Sequence, residues 1–314
     1  MLVAIMVLLF KSHLDSPEDW GAALAEIAPD LEVRVWPETG PVEEIAYALV
    51  WEPGAGELAR YPNLKLIASL GAGVDHLLTD PELPVDVPIT RMVDTQLTAM
   101  MSEYSLLYTL RFHRRVEDYE AQQRAHDWTV LSQPLAGERT VGILGLGELG
   151  SDLAGKLLPL GFKVAGWSKS LKSIAGVESF HGPDRLAPFL AKSDILICLL
   201  PRTPETAGIL NRKTLGQLPR GAYLINVARG DHLIEEDLSP LIETGQLAGA
   251  ALDVFRTEPL PDEHPFWDHP KIQVTPHAAG IATPWSGAPQ VVENIRRVEA
   301  GEPLINRVDP AKGY

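Results

Sequence analysis

The sequence holds one cysteine, Cys198, among its 314 residues. That excludes an internal disulfide and any cluster of thiolate ligands. Cationic residues are also scarce: 27 Lys and Arg stand against 42 Asp and Glu, a formal net charge of −15. Such a surface repels nucleic acid and anionic membranes, so neither is expected as a partner. An anionic small molecule would need a local cationic site. Long apolar runs are missing too. The opening MLVAIMVLLF is too short to span a bilayer, with no Lys or Arg before it and no small-residue cleavage site after it. It reads as a buried parallel strand, and the expected location is the cytoplasm. No His, Cys, Asp and Glu set has metal-ligand spacing, so no metal is expected.

What is present is a regular alternation of short apolar runs with helical patterns, long enough for two domains. Strands are expected over residues 3–9, 32–36, 46–51, 64–69 and 88–92, and a helix over 18–28 stopped by Pro29-Asp30. Buried strands alternating with helices imply a parallel sheet covered on both faces. At 69–74 a strand runs into the Gly-Ala-Gly loop of SLGAGV. Its N–H groups suit a carboxylate, and a plain strand-ending turn suits the residues as well. From 98 to 121, Met101, Tyr104, Ser105, Tyr108 and Phe112 recur at helical spacing, a connector between domains. The stretch 120–134 reads as exposed and irregular, either a mobile loop or a dimerisation arm.

The chemistry starts at TVGILGLGELG, residues 140–150. An apolar strand meets glycines spaced GxGxxG, and Leu149, Leu153, Leu157 and Leu158 then mark one face of a helix. This is the context of a dinucleotide fingerprint. Gly145 permits a tight turn, Gly147 lets backbone N–H groups approach a pyrophosphate, and Gly150 lets the helix pack on its strand. With Glu148 and Leu149 they would set phosphates at a positive helix N-terminus. The next strand, 162–167, ends at Trp167 and Ser168, beside Lys169 and Lys172. An NAD site needs a carboxylate there for the ribose hydroxyls, whereas a hydroxyl and two ammonium groups suit a 2′-phosphate. NADPH is therefore expected in preference to NADH, with NAD still usable. Strand 194–200 ends at Leu200 and a Pro-rich turn from Pro201 to Thr206 where an adenine end can rest.

Ligands of an open parallel sheet bind beyond the carboxyl ends of its strands. Strands over 222–227, 247–254 and 272–275 end near Val227, Ala228 and Arg229, near Asp253, and near His277 and Gly280. Glu258 follows Asp253 by a short loop. Hydride transfer to a ketone builds negative charge on oxygen, so the site needs a proton donor and a cation. His277 serves as donor if a carboxylate partner, Glu258, favours its protonated form. The Arg229 fork suits a 2-oxo acid carboxylate and polarises the adjacent carbonyl. Asp253 can orient a nicotinamide carboxamide.

These residues resemble the D-2-hydroxyacid dehydrogenases, nearest the branch that reduces glyoxylate and hydroxypyruvate. The likeness runs through ALVWEP (48–53), SLGAGVD (69–75), DTQLTAMMSEY (94–104), GILGLGELGS (142–151), LPRTPETAGI (200–209), NVARG (226–230), LDVFRTEPLP (252–261) and TPHAAGIATP (275–284). It implies two doubly wound α/β domains with a cleft between them. Residues 98–283 would form a Rossmann cofactor domain. Residues 1–97 and 284–314 would form a discontinuous flavodoxin-like substrate domain, with a helix over 290–299 and a strand-like tail from Gly301. Arg229, Glu258 and His277 become catalytic, Asp253 lies near the nicotinamide, and the backbone of Ala72 and Gly73 meets the substrate carboxylate. A homodimer through the connector and arm is implied as well. Two features depart from the pattern. The phosphate turn carries Lys169 and Leu171 where relatives have more Arg, and Trp285 is bulky where a small residue is expected. With Trp51, Trp285 is expected to favour two- or three-carbon oxo acids. A different class built on this fold, a dinucleotide-sensing corepressor, is disfavoured by the acidic charge.

Overall fold

The computed structural model describes residues 6–311. Their contacts form two units, one made of the described residues up to Leu97 together with those from Ile281 onward, the other Thr98–Gly280.

The first unit opens with β1 (Met6–Lys11), α1 (Pro17–Ile27), β2 (Leu31–Val35), β3 (Ile45–Val50), β4 (Leu66–Ser69), α2 (Asp75–Leu78) and β5 (Ile89–Thr90). Of the strand expected at 3–9, residues 3–5 lie outside the described residues, and β1 continues two residues further, to Lys11. Every neighbour pairing is parallel, in the order β2-β1-β3-β4-β5. This is the flavodoxin-like order 2-1-3-4-5. The central strands are buried on both faces, which explains their continuous apolar sequence. Ser16 caps α1 by accepting from the Asp19 N–H at 3.2 Å, and Pro17 occupies the first turn.

Next come α3 (Thr95–His113) and α4 (Val116–Ala125). One helical stretch was expected over 98–121; the chain instead breaks at Arg115, which takes a left-handed φ of 54°. Helix α4 then occupies part of the segment expected to be irregular. It has no fully buried residue, so no apolar periodicity announces it. Beyond it, Trp128 and Val130 are 99% and 87% exposed. The ends of α3 and α4 line a cavity of about 460 Å³ with Arg139 and Tyr223.

The second unit continues with β6 (Thr140–Leu144), α5 (Glu148–Leu157), β7 (Lys163–Ser168), β8 (Val177–His181), α6 (Leu186–Leu190), β9 (Ile195–Cys198), α7 (Arg212–Leu215), β10 (Ala222–Asn226), α8 (Glu235–Glu243), β11 (Leu247–Leu252) and β12 (Ile272–Val274). The seven parallel strands run β12-β11-β10-β9-β6-β7-β8. Counted from β6 this is the dinucleotide-binding order 3-2-1-4-5-6 with one strand added. The topological switch point falls between β6 and β9. Edge strand β8 was not anticipated, because Phe180 is its one fully buried residue. Cys198 is wholly buried, and burial pushes its thiol up to about 12, the behaviour of an inert core thiol.

The chain returns to the first unit through α9 (Pro284–Ala300), which starts six residues before the helix expected at 290–299. Pro284 is compatible with a first turn, so the helix begins there. The strand-like tail does not form. Gly301 closes α9 at φ 68°, and the tail rejoins the sheet by one antiparallel bridge, Thr90 to Arg307.

Candidate active site

The fingerprint glycines have three different physical reasons. Gly145 has φ 105°, and a β-carbon there would lie 2.7 Å from the Leu199 carbonyl oxygen, on the chain leaving β9. A β-carbon on Gly150 would be 1.9 Å from the Gly145 carbonyl oxygen. Gly147, the N-cap of α5, meets nothing within 4 Å. The protein itself therefore does not require glycine at 147, and the open space leaves the backbone there accessible to a ligand. Glu148 and Leu149 form the first turn of α5, whose leading N–H groups have no intrahelical acceptor. The cradle fits a pyrophosphate.

At the end of β7, Trp167 is fixed by its indole N–H, which donates to the Gly182 carbonyl at 2.8 Å. The Ser168 hydroxyl donates to the Ser170 carbonyl at 2.7 Å, so it shapes the turn and must rotate to donate to a phosphate. Lys169 and Lys172 are exposed. The charge of Lys169 reaches Glu205, whose carboxyl is held below its ordinary range first by a bond from Thr203 and a backbone N–H. After β9, Leu200 is buried and Thr206 ties the Pro-rich turn together. Its hydroxyl donates to the Pro201 carbonyl at 2.7 Å and accepts from the Thr203 N–H at 2.9 Å.

Beyond β10 the buried Asn226 accepts from the Ala228 N–H at 3.3 Å and donates to the Arg229 carbonyl at 3.1 Å. Val227 and Ala228 are buried, and Arg229 Nη1 donates to the Ala228 carbonyl at 2.7 Å. Gly230 is wedged: a β-carbon there would lie 1.8 Å from the Phe255 carbonyl carbon. The next backbone N–H to matter is that of Phe255, which donates to Glu258 Oε1 at 2.8 Å. The segments carrying Arg229 and Glu258 are thus packed on each other.

Asp253, buried just past β11, accepts three bonds. Thr275 and the Ala278 N–H reach Oδ1 at 2.5 and 2.9 Å, and the Ala279 N–H reaches Oδ2 at 2.8 Å. Burial raises its pKa against the pull of these donors. A carboxylate has about four acceptor positions, so one remains, on Oδ2. The clamped loop carries His277 at a left-handed φ of 53°, with Gly280 at its end. His277 Nδ1 lies 2.7 Å from Glu258 Oε2. Burial pushes the Glu258 carboxyl up, but the bonds from His277 and Phe255 and the charges of His277 and Arg229 outweigh it, leaving the pKa below the usual range.

Tyr104, Thr275, Asn226 and His232 were not anticipated as parts of this site. The Tyr104 hydroxyl meets that of Thr275 at 2.6 Å, and burial drives its pKa strongly up. Since Thr275 donates to Asp253, Tyr104 donates to Thr275. Helical spacing marked Tyr104 only as an apolar position; nothing local in sequence links it to a loop 171 residues on.

In the first unit, the Ser69 hydroxyl accepts from the Gly71 N–H at 3.2 Å. Among the described residues no acceptor faces the N–H of Ala72 or Gly73. The Trp51 ring is mostly buried, 4.6 Å from the His76 ring, and a β-carbon on Gly71 would lie 2.3 Å from Trp51 Cζ3. Trp285, second residue of α9, is 57% exposed. Among the described residues no group of three or more His, Cys, Asp and Glu side chains could hold a metal ion, and no helix is long and apolar enough to cross a membrane.

Comparison with known proteins extends these geometric findings. A family model described as D-isomer specific 2-hydroxyacid dehydrogenase, NAD binding domain, matches residues 106–279. The chain is 45% identical over 314 residues to a glyoxylate/hydroxypyruvate reductase A of Serratia proteamaculans (strain 568), covering 98% of this chain and 100% of the relative. A D-isomer specific 2-hydroxyacid dehydrogenase from Xanthobacter autotrophicus Py2, solved with NADPH and MES, superposes at a TM-score of 0.94 with 47% identity, over 98% of this chain and 99% of that one. An NADPH-dependent glyoxylate/hydroxypyruvate reductase from Sinorhizobium meliloti, solved with NADP and sulfate, gives 0.93 and 42%, over 98% and 100%.

Proposed function

We infer, from the premise that this chain belongs to the D-isomer specific 2-hydroxyacid dehydrogenases, a family of NAD(P)-dependent oxidoreductases, that it reduces glyoxylate, hydroxypyruvate and 2-oxo acids of similar size, with NADPH preferred over NADH. The observation that carries this reading is the 2.7 Å contact of His277 with Glu258 on a loop clamped by Asp253. The relatives solved with NADPH or NADP support the cofactor. Ser168, Lys169 and Lys172 at the end of β7, with no carboxylate in the ribose position, support the preference.

When bound, the reduced nicotinamide supplies a hydride to the carbonyl carbon. His277 keeps Nδ1–H toward Glu258 and delivers the proton of Nε2 to the carbonyl oxygen. The Glu258 carboxylate accepts the Nδ1–H and holds the ring in that orientation. Arg229 holds the substrate carboxylate with its planar fork and draws charge from the carbonyl. The fourth acceptor position of Asp253 would hold the carboxamide of the nicotinamide. By the family likeness the N–H groups of Ala72 and Gly73 would meet the substrate carboxylate, and Trp51 and Trp285 would limit its side chain. The exposed Trp128 and Val130 belong to a homodimer contact, and the enzyme works in the cytoplasm.

Cofactor oxidation measured with glyoxylate, hydroxypyruvate, pyruvate and branched 2-oxo acids tests the reading. Highest kcat/KM for a two- or three-carbon acid with NADPH is expected. A bulky best substrate overturns the size assignment. Turnover of none of them overturns the enzymatic reading in favour of a dinucleotide-binding partner protein.

A further inference from the structure

We propose that His232 is a positioning residue that locks the turn at 201–206 to the backbone of Arg229, so that cofactor contact with that turn sets the placement of the substrate-binding guanidinium. The inference rests on the function proposed above. His232 is wholly buried two residues beyond the Arg-Gly pair. Its Nδ1 lies 3.2 Å from the Arg229 backbone nitrogen and 3.1 Å from the Arg229 carbonyl oxygen, and its Nε2 lies 3.2 Å from the Pro201 carbonyl oxygen. The Arg229 carbonyl already receives the Asn226 amide, whereas the Arg229 N–H needs an acceptor, so the neutral ring protonated at Nε2 serves that N–H and the Pro201 carbonyl at once. A charged ring would leave the Arg229 N–H facing a second donor, in a site where burial already disfavours charge.

The same two segments are joined on either side of the ring. Arg202 pairs with Asp231, the Gly208 N–H donates to the Asp231 carbonyl at 2.8 Å, and the Leu210 N–H to the His232 carbonyl at 2.8 Å. On the far side, Gly230 is jammed against Phe255. The Arg229 backbone therefore has one neighbour that bears on the cofactor and one that bears on Glu258, and His232 is the side chain that bridges to the former.

Three substitutions separate its two bonds. His232→Asn places an acceptor at the Nδ1 position and loses the reach to Pro201. His232→Gln places a donor at the Nε2 position and loses the Arg229 bond. His232→Ala loses both. We expect Ala to lower kcat with glyoxylate about tenfold, the scale of a misplaced binding group, and to weaken NADPH about fivefold, the scale of one hydrogen bond. Asn and Gln each break one end of the lock, so each should lower kcat and NADPH affinity together, as Ala does. An Ala variant unchanged in both, or an Asn or Gln variant that loses one readout and keeps the other, overturns the proposal. An inactive wild type sinks the functional reading instead. In that event, or if the variants do not fold, 15N NMR of the wild-type histidines decides. A non-titrating ring protonated at Nε2 supports the lock, and one protonated at Nδ1 overturns it.

Discussion

A β-carbon on Gly150 would stand 1.9 Å from the carbonyl oxygen of Gly145. The first and last glycines of the fingerprint are therefore in mutual contact, and the middle one is not part of that contact. Gly150→Ala is expected to lower thermal stability, because backbone cannot yield to it cheaply. Gly147→Val, projecting into open space, should melt near the wild-type temperature while weakening NADPH by tenfold or more. Calorimetry beside a cofactor titration checks both, and loss of stability in the Gly147 variant would remove the ligand as the reason for that glycine.

His277→Ala should reduce kcat by about 10²-fold or more, the usual size of a general acid's contribution. Glu258→Gln should fall between that and the wild type, since it keeps an acceptor for Nδ1–H but no charge. Steady-state NADPH oxidation with glyoxylate measures both. Near-normal turnover of the His277 variant would place the proton donor elsewhere.

Lys169→Ala with Lys172→Ala should raise KM for NADPH about tenfold or more and leave KM for NADH nearly unchanged, as loss of charge-assisted phosphate bonds requires. Equal changes for the two cofactors would dissociate these lysines from the 2′-phosphate.

Trp51→Ala should shift kcat/KM from glyoxylate toward longer 2-oxo acids. The ring rests on Gly71, so Gly71→Ala, which displaces it, should shift selectivity in the same direction. Competition between glyoxylate and a branched 2-oxo acid reads the ratio, and an unchanged ratio in both variants would release Trp51 from the pocket.

Glu117 lines the cavity beside α4, and burial raises its pKa from 4.5 to about 7. Its Oε1 is buried without a hydrogen-bond partner. As pH rises from 4.5 the unfolded chain loses this proton first, so the folded state binds more protons and loses stability until about pH 7. Glu117→Gln should remove that loss. Its advantage in urea unfolding should be absent below pH 4.5, grow to at most ~3 kcal/mol near pH 7, at ~1.4 kcal/mol per unit, and stay level above. An advantage independent of pH would mean that Glu117 titrates normally.

The parallel architecture was legible because continuous apolar runs between helical patterns leave little else for the strands to do. TVGILGLGELG was legible because its glycines sit between a strand and a helix. Arg229, Glu258 and His277 could be singled out by their places at strand ends and Glu258 named as the partner of His277, although the left-handed backbone that presents His277 could not. What escaped was whatever carries no periodic apolar signal, such as the polar helix α4 and the edge strand β8. Bonds between residues far apart in sequence escaped too. Tyr104 to Thr275 and His232 to Pro201 are fixed by tertiary packing, and neither partner's local sequence announces the other.

The order β12-β11-β10-β9-β6-β7-β8 places each functional loop of the second unit after a different, laterally paired strand. None of the parallel pairings closes as a hairpin, and every one except β7 with β8, joined by residues 169–176, waits for a crossover of a dozen or more residues. Asp253 grips a loop 25 and 26 residues away, and Gly145 needs the chain that follows β9. The site is thus a high-contact-order object, and such contacts form late. On refolding, helical signal should return first and turnover last, with no interval in which a half-built sheet is active.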